Sequence, residues 1–165
     1  MEYEVKIEEN KDLACSMAFF SGTDFKLESG FEMESFKIAY KCFGKLNANK
    51  DNAVLVCHAL TGDQFVSGNN PITNKNGWWD RMVGPNKSID TNKYFVICSN
   101  VLGGCVGSTG PKDLNPLTNL PFGSEFPSIT IKDIVKAQEF LIQALKIEKL
   151  FAVVGGSMGA MQVLQ

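Results

Sequence analysis

One stretch limits what this chain can fold into more than any other. A short apolar run, Leu150 to Val154, leads directly into Gly155-Gly156-Ser157-Met158-Gly159. The run reads as a buried strand. The five residues after it fit G-x-S-x-G, the spacing of a sharp strand-to-helix turn that lifts a serine hydroxyl out at the rim of a sheet. Such a turn leaves no room beside the serine, so Gly155 and Gly159 are expected to let the strand and the following helix approach closely. Ser157 then stands at a helix N-terminus, where free backbone N–H groups favour negative charge. The Met158 N–H becomes one donor to an oxyanion.

Two earlier runs resemble the first. Ala53-Val54-Leu55-Val56-Cys57 and Tyr94-Phe95-Val96-Ile97-Cys98 are apolar without alternation, as expected of strands covered on both faces. They end in His58-Ala59-Leu60-Thr61-Gly62-Asp63 and in Ser99-Asn100-Val101-Leu102-Gly103-Gly104. Three buried strands, each followed by a Gly-bearing loop, predict an α/β fold with an open, mostly parallel sheet. Ligands then bind outside the carboxyl ends of its strands.

Further upstream, Phe25-Lys26-Leu27 precedes a Ser29-Gly30 turn signal. Phe36, Ile38, Tyr40 and Cys42 then alternate with Lys37, Ala39 and Lys41. Period two with one wet face predicts an antiparallel edge hairpin. Residues 1–24 are weakly patterned, with a short apolar patch from Cys15 to Phe20, and receive no function. Gly44 to Asn52 reads as a solvated loop, and a short helix is expected around Trp78 to Val83. Gly103 to Pro127 is dense in Gly, Pro, Asn and Ser; a loop of that length is usually functional or poorly ordered. The clearest helix follows. Thr130 with Asp133 resembles a capping box, and Ile131, Ile134, Val135, Leu141, Ile142 and Leu145 recur at helical spacing. Gln138 is the one break on that face.

Composition narrows the function classes. A chain of 165 residues can bury one core, so a single domain is expected. A net charge of −2 gives no basic face for nucleic acid. The apolar runs are strand-length, which predicts no membrane partner. The acidic start, Met1 to Lys6, lacks the segments of a signal peptide. Five cysteines (Cys15, Cys42, Cys57, Cys98, Cys105) show no C-x-x-C spacing. A reduced, cytoplasmic setting fits them, and no metal site is expected.

A serine nucleophile needs an imidazole to take its proton and a carboxylate to orient that imidazole. His58 is the single histidine. In folds with this turn the partners follow the serine in chain order, whereas His58 precedes it. It is therefore read as a loop-shaping residue rather than a general base. Leu60, in the loop after Cys57, is the candidate for the second oxyanion N–H, because such a fold supplies that donor from this loop. Asp63, Asp80, Asp90 and Asp113 are read as turn or cap residues. Trp78 and Trp79 are read as packing that could line a pocket. Gly103 to Gly110 invites a phosphate-loop reading, but it lacks the Gly-Lys-Ser/Thr ending and does not fit G-x-G-x-x-G.

Several motifs taken together carry a family resemblance. They are Cys57-His58-Ala59-Leu60-Thr61-Gly62-Asp63, Gly77-Trp78-Trp79-Asp80, Phe95 to Cys105, Gly107-Ser108-Thr109-Gly110-Pro111, and Gly155-Gly156-Ser157-Met158-Gly159-Ala160-Met161-Gln162. In this order they closely resemble homoserine O-acetyltransferase of the α/β-hydrolase type, from about Phe36 to Gln165. Ala160 stands where a third glycine is usual. The resemblance implies that Ser157 takes an acetyl group from acetyl-CoA and passes it to the hydroxyl of L-homoserine, on the way to methionine. Leu60 and Met158 would hold the oxyanion. Acetyl-CoA would be a co-substrate, with no bound cofactor and no metal.

The resemblance further implies a homodimer with a helical lid. Its triad aspartate and histidine, its lid and a substrate-binding arginine would fall beyond Gln165. Residues 1–165 are thus expected to be the N-terminal part of one α/β-hydrolase domain, marginally folded and inactive alone. O-succinyl transfer, a serine acceptor, ester hydrolysis and an inactive truncated remnant stay open as alternatives, because the turn would look alike in all of them.

Overall fold

The computed structural model describes residues 3–116 and 118–165. Its frame is a six-stranded sheet. The strands are β1 (Glu4–Asn10), β2 (Cys15–Lys26), β3 (Glu32–Phe43), β4 (Ala53–Cys57), β5 (Phe95–Ser99) and β6 (Ala152–Gly155). In space they lie in the order β1-β2-β3-β5-β4-β6. The first three are antiparallel neighbours, β3 meets β5 antiparallel, and β5, β4 and β6 are mutually parallel. Four strands (β2, β4, β5, β6) therefore share a direction, and the sheet is mixed with most strands parallel.

β4 shows why an unbroken apolar run is needed. Val54 and Val56 join Val66, Val83, Val96 and Cys98 on one face. Leu55 and Cys57 join Ile97, Ala137 and Leu141 on the other. All five residues of β4 are buried. The second face is covered by α1 (Ile131–Ala144), whose Phe140 ring sits 5.5–5.8 Å from the rings of Phe20, Phe25 and Phe36. Its capping box forms as expected. The Thr130 side chain accepts from the Asp133 N–H at 3.2 Å, and Asp133 accepts from the Thr130 N–H at 2.9 Å. Asp133 also accepts from the Glu28 N–H at 2.9 Å, which ties the helix start to the β2–β3 turn.

Two sequence expectations need correction, and one strand lies where the sequence carries little pattern. The β2–β3 hairpin forms around Gly30 but is not at the sheet edge, because β1 lies outside it. β1 itself falls in the weakly patterned 1–24 segment: most of its residues face water on both sides, which erases the periodic signal. No helix spans Trp78 to Val83. The N–H groups of Gly77, Trp78 and Trp79 are committed to carbonyls of Gly68, Phe65 and Val66, and only one turn follows before Gly84-Pro85. Proline has no N–H and cannot continue a helix of this kind.

The part of the 103–127 segment around Ser108 and Thr109 is a strap laid on β3. Where β5 diverges from β3, the Ala39 N–H donates to Ser108 Oγ at 3.0 Å and the Lys37 N–H donates to Thr109 Oγ1 at 2.8 Å. The Thr109 N–H returns a bond to the Lys37 carbonyl at 2.9 Å. The hydroxyls that invited a phosphate-loop reading are thus buried and spent on strand backbone.

Candidate active site

β6 delivers the chain to the rim of the sheet, and the turn after it is as tight as the glycine spacing requires. β6 runs beside β4 with Gly155 opposite Cys57. A Cβ on Gly155 would come within 2.7 Å of the Gly159 carbonyl group, and one on Gly159 would overlap the Cys57 carbonyl oxygen. Gly156, by contrast, faces open space. Ser157 has φ 57° and ψ −128°, a conformation L-residues rarely adopt. α2 (Met158–Val163) starts immediately after it. Ser157 is exposed, and among the described residues its hydroxyl caps no helix N–H and has no hydrogen-bond partner. The Met158 N–H likewise has no acceptor among the described residues. With α2 only six residues long, that single N–H matters more than any summed helix dipole.

The loop after β4 abuts this turn. Gly159 packs on the carbonyls of both Cys57 and His58, and Leu60 lies two residues further on. A turn closed by Gly62 N–H to the Ala59 carbonyl (2.9 Å) turns the Leu60 side chain outward, 77% exposed. Among the described residues no acceptor takes the Leu60 N–H. The structure therefore brings Ser157, Met158 and the Leu60 loop to the same end of neighbouring parallel strands.

His58 is occupied elsewhere. It is 1% exposed; its Nε2 accepts from the Val101 N–H at 3.2 Å, so Nδ1 carries the proton and donates to the Ala59 carbonyl at 2.7 Å. Burial lowers its pKa, opposed by the Ala59 hydrogen bond and the Asp63 charge. A neutral imidazole with both nitrogens bonded joins the loops after β4 and β5. It cannot serve Ser157 as a base.

The aspartates are structural too. Asp63 accepts from the Phe65 N–H and from Asn70; Asp80 accepts from the Gly68 N–H, Ser67 and Lys87. Asp90 holds the N–H groups of Asn86 and Asn92, and Asp113 holds the Gly110 N–H and the Lys37 ammonium. Trp78 stacks on Trp79 and donates its indole N–H to the Asp63 carbonyl at 2.9 Å, behind the Leu60 loop. Cys57 is held as a thiol, its pKa pushed by burial to about 11. A cavity of about 630 Å³ lies elsewhere, walled by Phe20, Phe36, Phe122 and the Lys37–Asp113 ion pair, and Ser157 does not line it.

Two residues escape the sequence reading. Gln138, which there is only a break in the apolar face of α1, and Gln162 on α2 are both buried, and the Gln138 Nε2 donates to Gln162 Oε1 at 3.0 Å. Two polar residues on inward helix faces are the available signal, but pairing them needs the crossing of α1 with α2.

Comparison with known proteins agrees with this fold. The profile of the alpha/beta hydrolase fold family matches residues 52–165. The chain is 59% identical over 140 residues to homoserine O-acetyltransferase of Rhodospirillum rubrum, covering 85% of this chain and 36% of that protein. It is 61% identical over 140 residues to the same-named protein of Pelagibacter ubique, covering 85% and 38%. With that of Nitrobacter hamburgensis it shares 55% over 163 residues, covering 98% and 41%. The last match takes in the N-terminal strands. The chain thus spans about two fifths of the length of these relatives.

Among solved structures, homoserine O-acetyltransferase from Bacillus anthracis superposes with TM-score 0.79 at 32% identity, covering 98% of this chain and 41% of that one. Esterase E22 superposes equally well, at 33% identity, covering 98% and 42%. A sheet of this order, with a strained serine where β6 turns into α2, carries the same statement as the sequence profile: the chain belongs to the alpha/beta hydrolase fold family.

Proposed function

We propose that this chain supplies the nucleophile and oxyanion site of an acyltransferase that moves an acetyl group from acetyl-CoA to the hydroxyl of L-homoserine. The observation that carries the reaction class is Ser157: an exposed, unpartnered hydroxyl on a strained turn, followed by a Met158 N–H with no other acceptor. The choice of homoserine is supported by the 55–61% identity to homoserine O-acetyltransferases of Nitrobacter hamburgensis, Rhodospirillum rubrum and Pelagibacter ubique.

In this reading Ser157 Oγ attacks the thioester carbonyl, and the negative oxygen is held by the N–H groups of Leu60 and Met158. The C–S bond breaks, coenzyme A leaves as its thiol, and acetyl-Ser157 remains. The homoserine hydroxyl then attacks the ester, forming O-acetylhomoserine and freeing Ser157. The proton passes through a base other than His58, since both imidazole nitrogens are already bonded. Acetyl-CoA acts as a co-substrate, and the working enzyme is a cytoplasmic homodimer. Among the described residues no helix is long and apolar enough to cross a membrane.

The test is steady-state release of coenzyme A thiol by the longest polypeptide the gene encodes. Release should require homoserine, prefer acetyl-CoA over succinyl-CoA, and fall by about 10⁶-fold in Ser157→Ala. Ester hydrolysis without homoserine-dependent thiol release would make the protein an esterase instead.

A further inference from the structure

We propose that Gln162, anchored by Gln138, is a positioning residue that sets the separation of the two oxyanion N–H donors; this rests on the reading of Ser157 given above. α2 is short, and among the described residues only Gln162 carries hydrogen bonds from its side chains to other elements. The Gln162 Nε2 donates to the His58 carbonyl at 3.3 Å and to the Met158 carbonyl at 3.3 Å. The first carbonyl is two residues ahead of the Leu60 N–H; the second belongs to the residue whose own N–H is the other donor. One amide group therefore spans both walls of the oxyanion site.

Gln138 fixes that amide from behind. Its Nε2 donates to Gln162 Oε1 at 3.0 Å and to Ser99 Oγ at 3.3 Å, so α1 and the end of β5 hold the clamp in register. Gln162 is 3% exposed and Gln138 4%, so neither can touch a substrate. Methionine fills nearly the same space as Gln162 but leaves the Gln138 Nε2 and the His58 carbonyl short of one partner, which lowers stability. What methionine also lacks is direction: two N–H bonds of one planar amide fix the angle between loop and helix. A misplacement of about 1 Å at such a site can cost about 100-fold in rate.

The experiment uses the longest polypeptide the gene encodes. Gln162→Met is expected to lower kcat for acetyl transfer about 10- to 100-fold while leaving KM for both substrates within about twofold. A small alkyl boronate, whose tetrahedral adduct on Ser157 places a negative oxygen between the same donors, should lose affinity by the factor lost in kcat. Gln138→Met leaves both Gln162 donations possible and should cost only a few-fold in kcat, again without a change in KM. If Gln162→Met yields no folded protein, Gln138→Met decides by the same pair of readouts.

Unchanged kcat and boronate affinity would overturn the proposal. So would a loss shared equally by kcat, KM and thermal midpoint, the mark of a stability role alone. If the unsubstituted protein binds the boronate but transfers no acetyl group, the reaction assigned above fails, and the boronate affinities alone judge the clamp. If it does neither, the reading of Ser157 fails and the clamp falls with it.

Discussion

Ser157 and His58 follow neighbouring strands, and their surroundings set opposite chemistry. Ser157 is held at positive φ, a conformation costing about 1–3 kcal/mol, and is left with a free hydroxyl. His58 is enclosed, and its neutral form is favoured by burial. Its folded pKa lies below the unfolded value of about 6.5, so the unfolded chain gains a proton first as pH falls. Its contribution to stability is therefore full above about pH 6.5 and is lost below it. In His58→Gln that term is absent. Urea midpoints of the two proteins should differ most near pH 8 and converge towards pH 5; a gap independent of pH would show that folding leaves the His58 pKa unshifted. The same variant should fall far short of the roughly 10⁶-fold loss expected for removing a general base.

At the scale of elements, the contact that matters is α2 against the end of β4. It is backbone on backbone, and the G-x-S-x-G spacing is legible in the sequence because only glycine relieves so close an approach. The glycines are not equivalent, however. Gly159→Ala would drive a methyl into the Cys57 carbonyl of a central strand and should destabilise by about 3 kcal/mol or more, if the protein folds at all. Gly156→Ala meets nothing within 4 Å and should stay within about 1 kcal/mol of the parent. Denaturant midpoints of the two variants check this, and equal losses would show that the turn is looser than these contacts imply. The segment from Gly103 to Pro127 is the reverse case. Its composition suggests an open loop, yet Ser108 and Thr109 complete the backbone bonding of β3, residues some 70 positions earlier in sequence.

Across the whole molecule the sheet is asymmetric. β1 closes one side with charged residues, the usual protection of an edge. Among the described residues β6 pairs with β4 alone, and Phe151 (59% exposed) just before it and Leu164 (85%) at the end of α2 stand open to solvent. A groove of about 430 Å³ between α1 and α2 adjoins β6, where Leu55, Ile142, Leu150 and Val153 alternate with polar residues such as Glu139 and Glu148. A polypeptide of residues 1–165 alone should therefore self-associate in a concentration-dependent way. Size-exclusion chromatography with light scattering checks this, and a sharp monomer up to about 100 µM would count against the unpaired edge as a liability. The same polypeptide should show no acetyl transfer, because its single histidine is committed to Val101 and Ala59.

By itself the sequence determined the buried strands, the capped helix and the serine turn. Each of these is dictated by periodicity, local capping or backbone sterics within a few residues. Only the tertiary structure decided which nitrogen of His58 holds its proton, which backbone amides are left without an acceptor, where β1 lies, and that Gln138 reaches Gln162. Those are outcomes of hydrogen-bond donors and acceptors competing across distant segments. A polar group's partner is settled by which strands and helices come to lie beside it, and that placement is fixed only when the sheet assembles.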